Sequence, residues 1–313
     1  TSNLGMLTIG AYGIADGSTG YKNILQIGAQ GSLVVSGSST STGSFGSLVV
    51  ADAIQGNTEV KGQLTIKGGD FIPRGQLTTG TNSVVIGSSA YRQGTAGDRV
   101  VVIGENAAGF NSMNGNVDDT VLIGYRAGAN VTSNFYNVAI GSNALYNNKT
   151  GHSNIAIGYR ALYTEGSRGS NVAIGHQALQ AQSGSSTINS SNTAVGASAG
   201  ASAIGATRLT LVGYAAGHVI TTGGSNTMVG WRTGYTTTTG ASNTFIGNYS
   251  GYTNLSGDSN TAVGGSSLYY NSLGDGAVAI GQNAGYMYGR GAHSPLGSVF
   301  IGNTTGYYAT GSH

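Results

Sequence analysis

The chain of 313 residues has no cysteine, which removes disulfide frameworks and thiolate metal sites and leaves no redox signature of compartment. It has 2 prolines. Charge is scarce as well: 8% of residues are Asp, Glu, Lys or Arg, where about 25% is usual. The 13 basic and 11 acidic residues are thinly scattered and sum to +2, so there is no basic footprint for nucleic acid or an anionic membrane. No apolar run approaches the ~18 residues of a membrane-spanning helix. The start, TSNLGMLTIG, lacks the basic-then-apolar layout of a secretion signal. The chain opens on Thr1 rather than Met, as a processed product or fragment would. Neither a nucleic-acid partner nor membrane insertion is expected.

Glycine is what the chain has in excess, with 56 residues against the usual ~7%. The glycines follow no G-X-Y period and proline is nearly absent, which excludes collagen. A flexible linker fits poorly too, because the 39% hydrophobic content includes regularly placed Val and Ile.

Self-similarity explains the glycine. From residue 83 one motif is copied thirteen times, reading SVVIG, VVVIG, TVLIG, NVAIG, NIAIG, NVAIG, NTAVG, LTLVG, NTMVG, NTFIG, NTAVG, AVAIG and SVFIG. Nine of the twelve spacings between closing glycines, from Gly87 to Gly302, are 17 residues, and the other three are 20 or 21. The register returns to 17 after each insertion, near residues 110–118, 181–191 and 289–297. Seventeen residues are too few for a βαβ unit or a propeller blade, and no helical apolar period is sustained. The expected fold is all-β, a parallel β-solenoid (β-roll) of thirteen coils, each holding two short strands and two turns. Stacked at about 4.8 Å, the coils would extend roughly 60 Å.

Within the motif, Val, Ile or Thr stands three residues before the glycine and Ile or Val directly before it. The residue between them is apolar as well, small as in Ala139 or large as in Phe245. A strand apolar on both faces is covered on both faces. One face is the core of its own coil, and the other meets a second layer or a second chain. The closing glycine suits a corner of positive φ. Three residues later every copy has Ala, Ser or Thr, a mark of close approach between layers. Asn opens seven copies, at 137, 154, 171, 192, 226, 243 and 260, where it can adopt a left-handed turn or form an amide ladder along the axis. Thr193, Thr210, Thr227, Thr244 and Thr261 share the column of the first β-branched residue and are expected to be buried with the inward Ile and Val; ice binding is the weaker alternative.

Residues 1–80 are β-rich and Gly/Ser-rich without the period. GSLVV at 31–35 and 46–50, and short runs such as LTI and LQI, suggest a small β domain or collar, joined around Phe71–Arg74 to the solenoid of residues 81–313.

Catalytic constellations are missing from the pattern. His152, His176, His218, His293 and His313 have no metal-ligand spacing, and Asp118-Asp119 is a turn pair. Asp258 and Asp275 lie 17 apart, where a cation between them is the weaker alternative to two turn aspartates. No nucleophile elbow or phosphate loop occurs. No enzyme activity, cofactor or metal is expected.

The lead for binding is aromatic. Five residues after the motif glycine stand Tyr146, Tyr163, Tyr235, Tyr252, Tyr269, Tyr286 and Tyr307, with His218 in the same column. The rings either pack on one another or across a subunit seam, or present a platform for sugar rings. Directly after the glycine come Tyr125, Tyr159, Tyr214 and Trp231, expected to be more exposed. Arg126, Arg160 and Arg232 each follow one of these rings, making either a solvated ridge or a site for acidic sugars.

The NVAIG-x-x-A and NTAVG-x-x-A strings resemble the head repeats of trimeric autotransporter adhesins and, more closely, the repeats of bacteriophage tail fibres, which carry longer forms such as NIAIGYRALYTEGSRGS at 154–170. GSLVVSGSSTSTGSFGSLVV is similar to stretches that precede such repeats in virion proteins. The resemblance covers about residues 83–308 and implies a left-handed roll in a parallel homotrimer. It further implies other tail proteins as partners of the N-terminal region and attachment to a host-surface glycan or receptor on an extracellular virion. A bacterial cell-surface adhesin head, a passive shaft without ligand and a polysaccharide-depolymerising tailspike are the alternatives. The longer repeat, with no coiled-coil stalk or anchor after it, favours the phage form. Some phage fibres end in a self-cleaving trimerisation chaperone; nothing here matches one.

Overall fold

The computed structural model describes Leu7–Gly10, Asn23–Ile27, Leu33–Val34 and residues 84–91, 98–109, 117–164, 166–182, 190–290 and 297–309. By its internal contacts the chain divides into two units, Thr1–Thr65 and Ile66–His313. In the first, Leu7–Gly10 pairs antiparallel with Asn23–Ile27, which pairs antiparallel with Leu33–Val34. The second GSLVV segment, the Phe71–Arg74 junction and most of the three insertions lie outside the described residues. No helix among the described residues is long and apolar enough to cross a membrane.

The second unit is a parallel β-solenoid. Thirteen three-residue strands, from Val84–Ile86 to Val299–Ile301, form one sheet in which each pairs in register with the strand of the next repeat. Ile155, Ala156 and Ile157, for example, lie between Val138, Ala139 and Ile140 on one side and Val172, Ala173 and Ile174 on the other. Equivalent positions therefore stack into columns.

Among the described residues a coil has one strand, where two were expected, apart from a short second pairing between Val117–Asp118 and Asn134–Phe135. The backbone explains the difference. The motif glycine turns the corner at φ near +130, as in Gly141 and Gly158, with its N–H still bonded to the previous coil. Two and four residues later the chain enters the left-handed region, at Arg160 (φ 53) and Leu162 (φ 49) in the Gly158 coil. Alternate left-handed residues curl the segment into a turn. Its N–H groups still bond the next coil, as Leu145 N–H to Ala161 O at 2.9 Å, so layers remain paired without a second strand.

The core runs down the middle of the coils. The central strand residue is fully buried from Val85 to Ala279, and with it the small residue three after the glycine, such as Ala144 and Ala161. Phe300, in the last coil, is partly buried. In nine coils the strand centre and the position six later share one large side chain; Ala194 with Gly200 and Ala279 with Gly285 are the coils where neighbouring large side chains fill the space instead. Where the strand centre is Ala139, Ala156, Ala173 or Ala262, the position six later is Leu145, Leu162, Leu179 or Leu268. Where the centre is Leu122, Leu211, Met228, Phe245 or Phe300, that position is glycine. A Cβ on Gly251 would meet the Phe245 ring at 2.5 Å.

This corrects the expected direction of the strand. The β-branched residues flanking the centre face outward in the single chain: Ile174 is 37% exposed, Ile246 40% and Ile301 65%. The threonine column goes with them, Thr210 being exposed and Thr193, Thr227, Thr244 and Thr261 half-exposed. The reason is parity, since residues two apart on a strand share a face. The opening Asn lies two before the strand centre, and its side chain is fixed inside the coil.

That inner column is an amide ladder. All seven opening asparagines are fully buried. Each Oδ1 accepts the N–H at the same position one coil on, as Asn171 N–H to Asn154 at 3.0 Å and Asn260 N–H to Asn243 at 2.9 Å. Most Nδ2 groups donate to a carbonyl fourteen residues on, as Asn243 to Gly257 at 2.8 Å. The left-handed residue is the one before each Asn, such as Ser153 and Ser225, both at φ 58.

Candidate functional site

The turn after the motif glycine projects the aromatic side chains. The corner directs the first residue after it outward, and the left-handed second residue folds its side chain back over the first. The fifth residue then points out beside them. Because every coil repeats the geometry, rings from successive coils stack.

At the fifth position His218, Tyr235, Tyr252, Tyr269, Tyr286 and Tyr307 form one unbroken stack. Centroids are 5.1, 5.4, 4.9, 5.1 and 4.8 Å apart, with planes within 26° of parallel. Tyr146 and Tyr163 form a separate pair at 5.0 Å. All eight rings are half-buried, each covering its neighbour's face while leaving its rim in solvent. Tyr249 and Tyr270 meet the stack edge-on, at 5.3 Å from Tyr252 and 4.7 Å from Tyr269. Neither belongs to the first or fifth column, so the repeat pattern does not mark them. Burial pushes the Tyr269 and Tyr286 hydroxyls above the usual tyrosine range, assisted by Tyr252 beside the first and Tyr270 beside the second.

At the first position Tyr125, Tyr159, Tyr214 and Trp231 are all exposed. Tyr159 stacks on His176 at 5.2 Å and Tyr214 on Trp231 at 6.0 Å, while Tyr249 meets Trp231 edge-on at 4.8 Å. The three arginines lie over these rings. The guanidinium carbon of Arg126 is 4.9 Å from the Tyr125 centroid. Arg160 is 5.2 Å from Tyr159 and 5.1 Å from Tyr163. Arg232 is 4.7 Å from Trp231, 5.5 Å from Tyr235 and 6.0 Å from Tyr214. The first and fifth columns thus converge at Arg160 and Arg232 into two cation–aromatic clusters.

The acidic candidates are engaged elsewhere. Asp258 Oδ1 accepts the Ala241 N–H and Asp275 Oδ1 accepts the Asp258 N–H, both at 2.7 Å, so each carboxylate bonds the backbone of a neighbouring coil. Asp118 accepts the Asp98 N–H, and Asp119 takes the Arg99 fork at 2.6 and 2.9 Å. That hydrogen bond holds Asp119 below the usual carboxylate range. No group of three His, Cys, Asp or Glu that could hold a metal occurs among the described residues. His293 and His313 lie outside them.

Such a surface can bind by stacking and by hydrogen bonds from phenol and guanidinium groups. A scan of protein-family models, a search of curated proteins and a search of solved structures each found no match to the chain.

Proposed function

We propose that this chain is the adhesive part of a fibrous homotrimer, a phage tail fibre or related virion appendage, and that it attaches to a host-surface glycan along its tyrosine stack. The observation that carries the binding reading is the unbroken run of rings from His218 to Tyr307. The rings cover one another's faces, so a sugar meets the row of exposed rims, where phenol hydroxyls at the coil spacing hydrogen-bond and orient its hydroxyls. A platform repeating with the coil suits a polymer better than a single small molecule.

The outward face of the sheet supports the trimer. Its second column is Ile or Val in every coil and makes a continuous apolar strip on the single chain, flanked by a first column of Val, Ile and Thr, of the kind a subunit interface covers. Three chains in parallel would carry three aromatic stacks, and multivalency raises avidity without new contacts. The virion assignment rests on the resemblance of the NVAIG-x-x-A repeats to tail-fibre sequences, and the N-terminal region is then the part that meets other tail proteins. Binding alone is proposed, with no catalytic step.

The test is a glycan array probed with the labelled chain and with Tyr252→Ala/Tyr269→Ala. Retention of the first on a defined set of glycans, with at least tenfold weaker retention of the second, is expected. No retention on any glycan supports the passive-shaft alternative. Release of reducing ends from the bound polysaccharide would overturn the reading in favour of a depolymerase.

A further inference from the structure

Among the described residues, the two cation–aromatic clusters carry charge with no carboxylate paired to it, as does Arg290, 5.1 Å from the Tyr270 centroid. In the coils closed by Gly141 through Gly302, the first, second and fifth positions after the glycine carry no carboxylate. The cations there are Arg160 and Arg232, with His176 and His218 beside them. Arg232 sits among three rings, Trp231, Tyr235 and Tyr214. The Nε atoms of Arg160 and Arg232 are shielded from solvent and have no hydrogen-bond partner. The protein's own way of satisfying an arginine elsewhere is different: Arg99 takes Asp119 with two parallel hydrogen bonds.

We infer that the Trp231–Arg232 cluster is the subsite for a carboxylate-bearing sugar of a host polysaccharide. This deepens the glycan reading above and rests on it. The guanidinium is held against Trp231, and its two terminal Nη groups donate two parallel hydrogen bonds to a carboxylate. The solvent-exposed parts of Trp231 (41% exposed) and Tyr214 (47% exposed) lie beside it and contact the sugar ring that carries the carboxylate. Preorganisation favours the arrangement, because the left-handed backbone at Arg232 (φ 52) and the ring contacts fix the fork before the ligand arrives. Arg160, on Tyr159 and Tyr163, repeats the unit four coils away. A polymer with acidic sugars at intervals can therefore engage both.

The experiment uses the full chain on a panel of neutral, carboxylated and sulfated oligosaccharides, each carboxylated one paired with its methyl ester. Arg232→Gln is the variant of choice, since Gln177 occupies the equivalent left-handed position at φ 58. The expected result is a preference of at least tenfold for the free carboxylate over its ester. Arg232→Gln should bring the acid and its ester to equal affinity, and Trp231→Ala should weaken both. The preference should also shrink as salt rises from about 0.05 to 0.5 M, as for a partly exposed ion pair. Equal binding of acid and ester, a preference for sulfated ligands, or a preference that survives Arg232→Gln would overturn the subsite while leaving the glycan reading standing. Failure to bind any member of the panel would overturn both.

Discussion

Removing a rung of the buried amide ladder isolates what holds one coil to the next. Asn243 lies in the run of three asparagines closed by Asn260. Its Oδ1 accepts the Asn260 N–H at 2.9 Å, and its Nδ2 donates to Gly257 O at 2.8 Å. Gly257 O has a second donor, Asn254 Nδ2 at 2.9 Å, so Asn243→Ala leaves one buried group without a partner, the Asn260 N–H. An orphaned buried donor costs about 1–3 kcal/mol. Asn243→Asp separates the two bonds. It keeps the acceptor but turns a second carboxylate oxygen toward the Gly257 carbonyl. Burial raises the folded pKa of that carboxyl, since the charged form is desolvated and faces a dipole of the same sign. Below the unfolded carboxylate pKa of about 3.9 both states are protonated, and the carboxyl can donate to Gly257 O. As pH rises above that value the unfolded chain releases its proton while the folded chain retains it. Stability then falls by about 1.4 kcal/mol per pH unit until the folded pKa is reached. The Asp variant should match or exceed the Ala variant near pH 4 and be the less stable of the two at neutral pH. Native-state hydrogen exchange at Asn260 and its neighbours, with denaturant titrations at several pH values, measures both effects. A cost below about 0.5 kcal/mol for Asn243→Ala, or an Asp variant whose deficit does not change with pH, would refute the ladder as a stabilising element.

The one-large-residue rule for the core predicts a rescue: Phe245→Ala should cost about 3–5 kcal/mol, and adding Gly251→Leu should recover much of it, as the Ala139 and Leu145 pairing does naturally; a double-mutant cycle by denaturant unfolding checks this. Gly141→Ala should be severe, because a Cβ there would lie 2.7 Å from Gly158 O at a φ of +130; strain of about 1–3 kcal/mol adds to overpacking of similar size, and protease resistance of the surrounding coils should be lost. The raised hydroxyl pKa values of Tyr269 and Tyr286 predict phenolate absorbance that titrates later in the folded chain than in the unfolded one. Because the unfolded tyrosines ionise first, near pH 10, this contribution to stability is lost as pH rises above that value.

The repeat made the coil, its corner glycines, the asparagine ladder and the tyrosine stack legible in the sequence. Each is a column at one fixed register, and stacking in register preserves columns. The facing of the strand was harder to read, because all three residues of Val-Ala-Ile are apolar and composition alone does not distinguish inside from outside. Two signals held the answer. Asn154 and Ala156 are two apart and so share a face, and the buried amide decides which. Phe245 with Gly251, against Ala139 with Leu145, shows that in most coils the centre trades volume with the position six later. The second expected strand failed for another reason: the left-handed turn is carried in some coils by ordinary residues such as Leu145 and Arg160, which mask the glycine signature that other coils show at the same position, as in Gly128 and Gly251. The convergence of the first and fifth aromatic columns on Arg160 and Arg232 depends on that same backbone. Each residue could be named from the repeat, but not their contact.

The central claim is that the outward Val, Ile and Thr columns are covered by other copies of this chain in a fibre. The molar mass of the purified chain in solution, by sedimentation equilibrium at physiological salt, tests it most directly. The account predicts a single species of three times the 31.3 kDa chain, stable on dilution. A folded monomer that keeps its β-sheet signature with those columns open to water would contradict it.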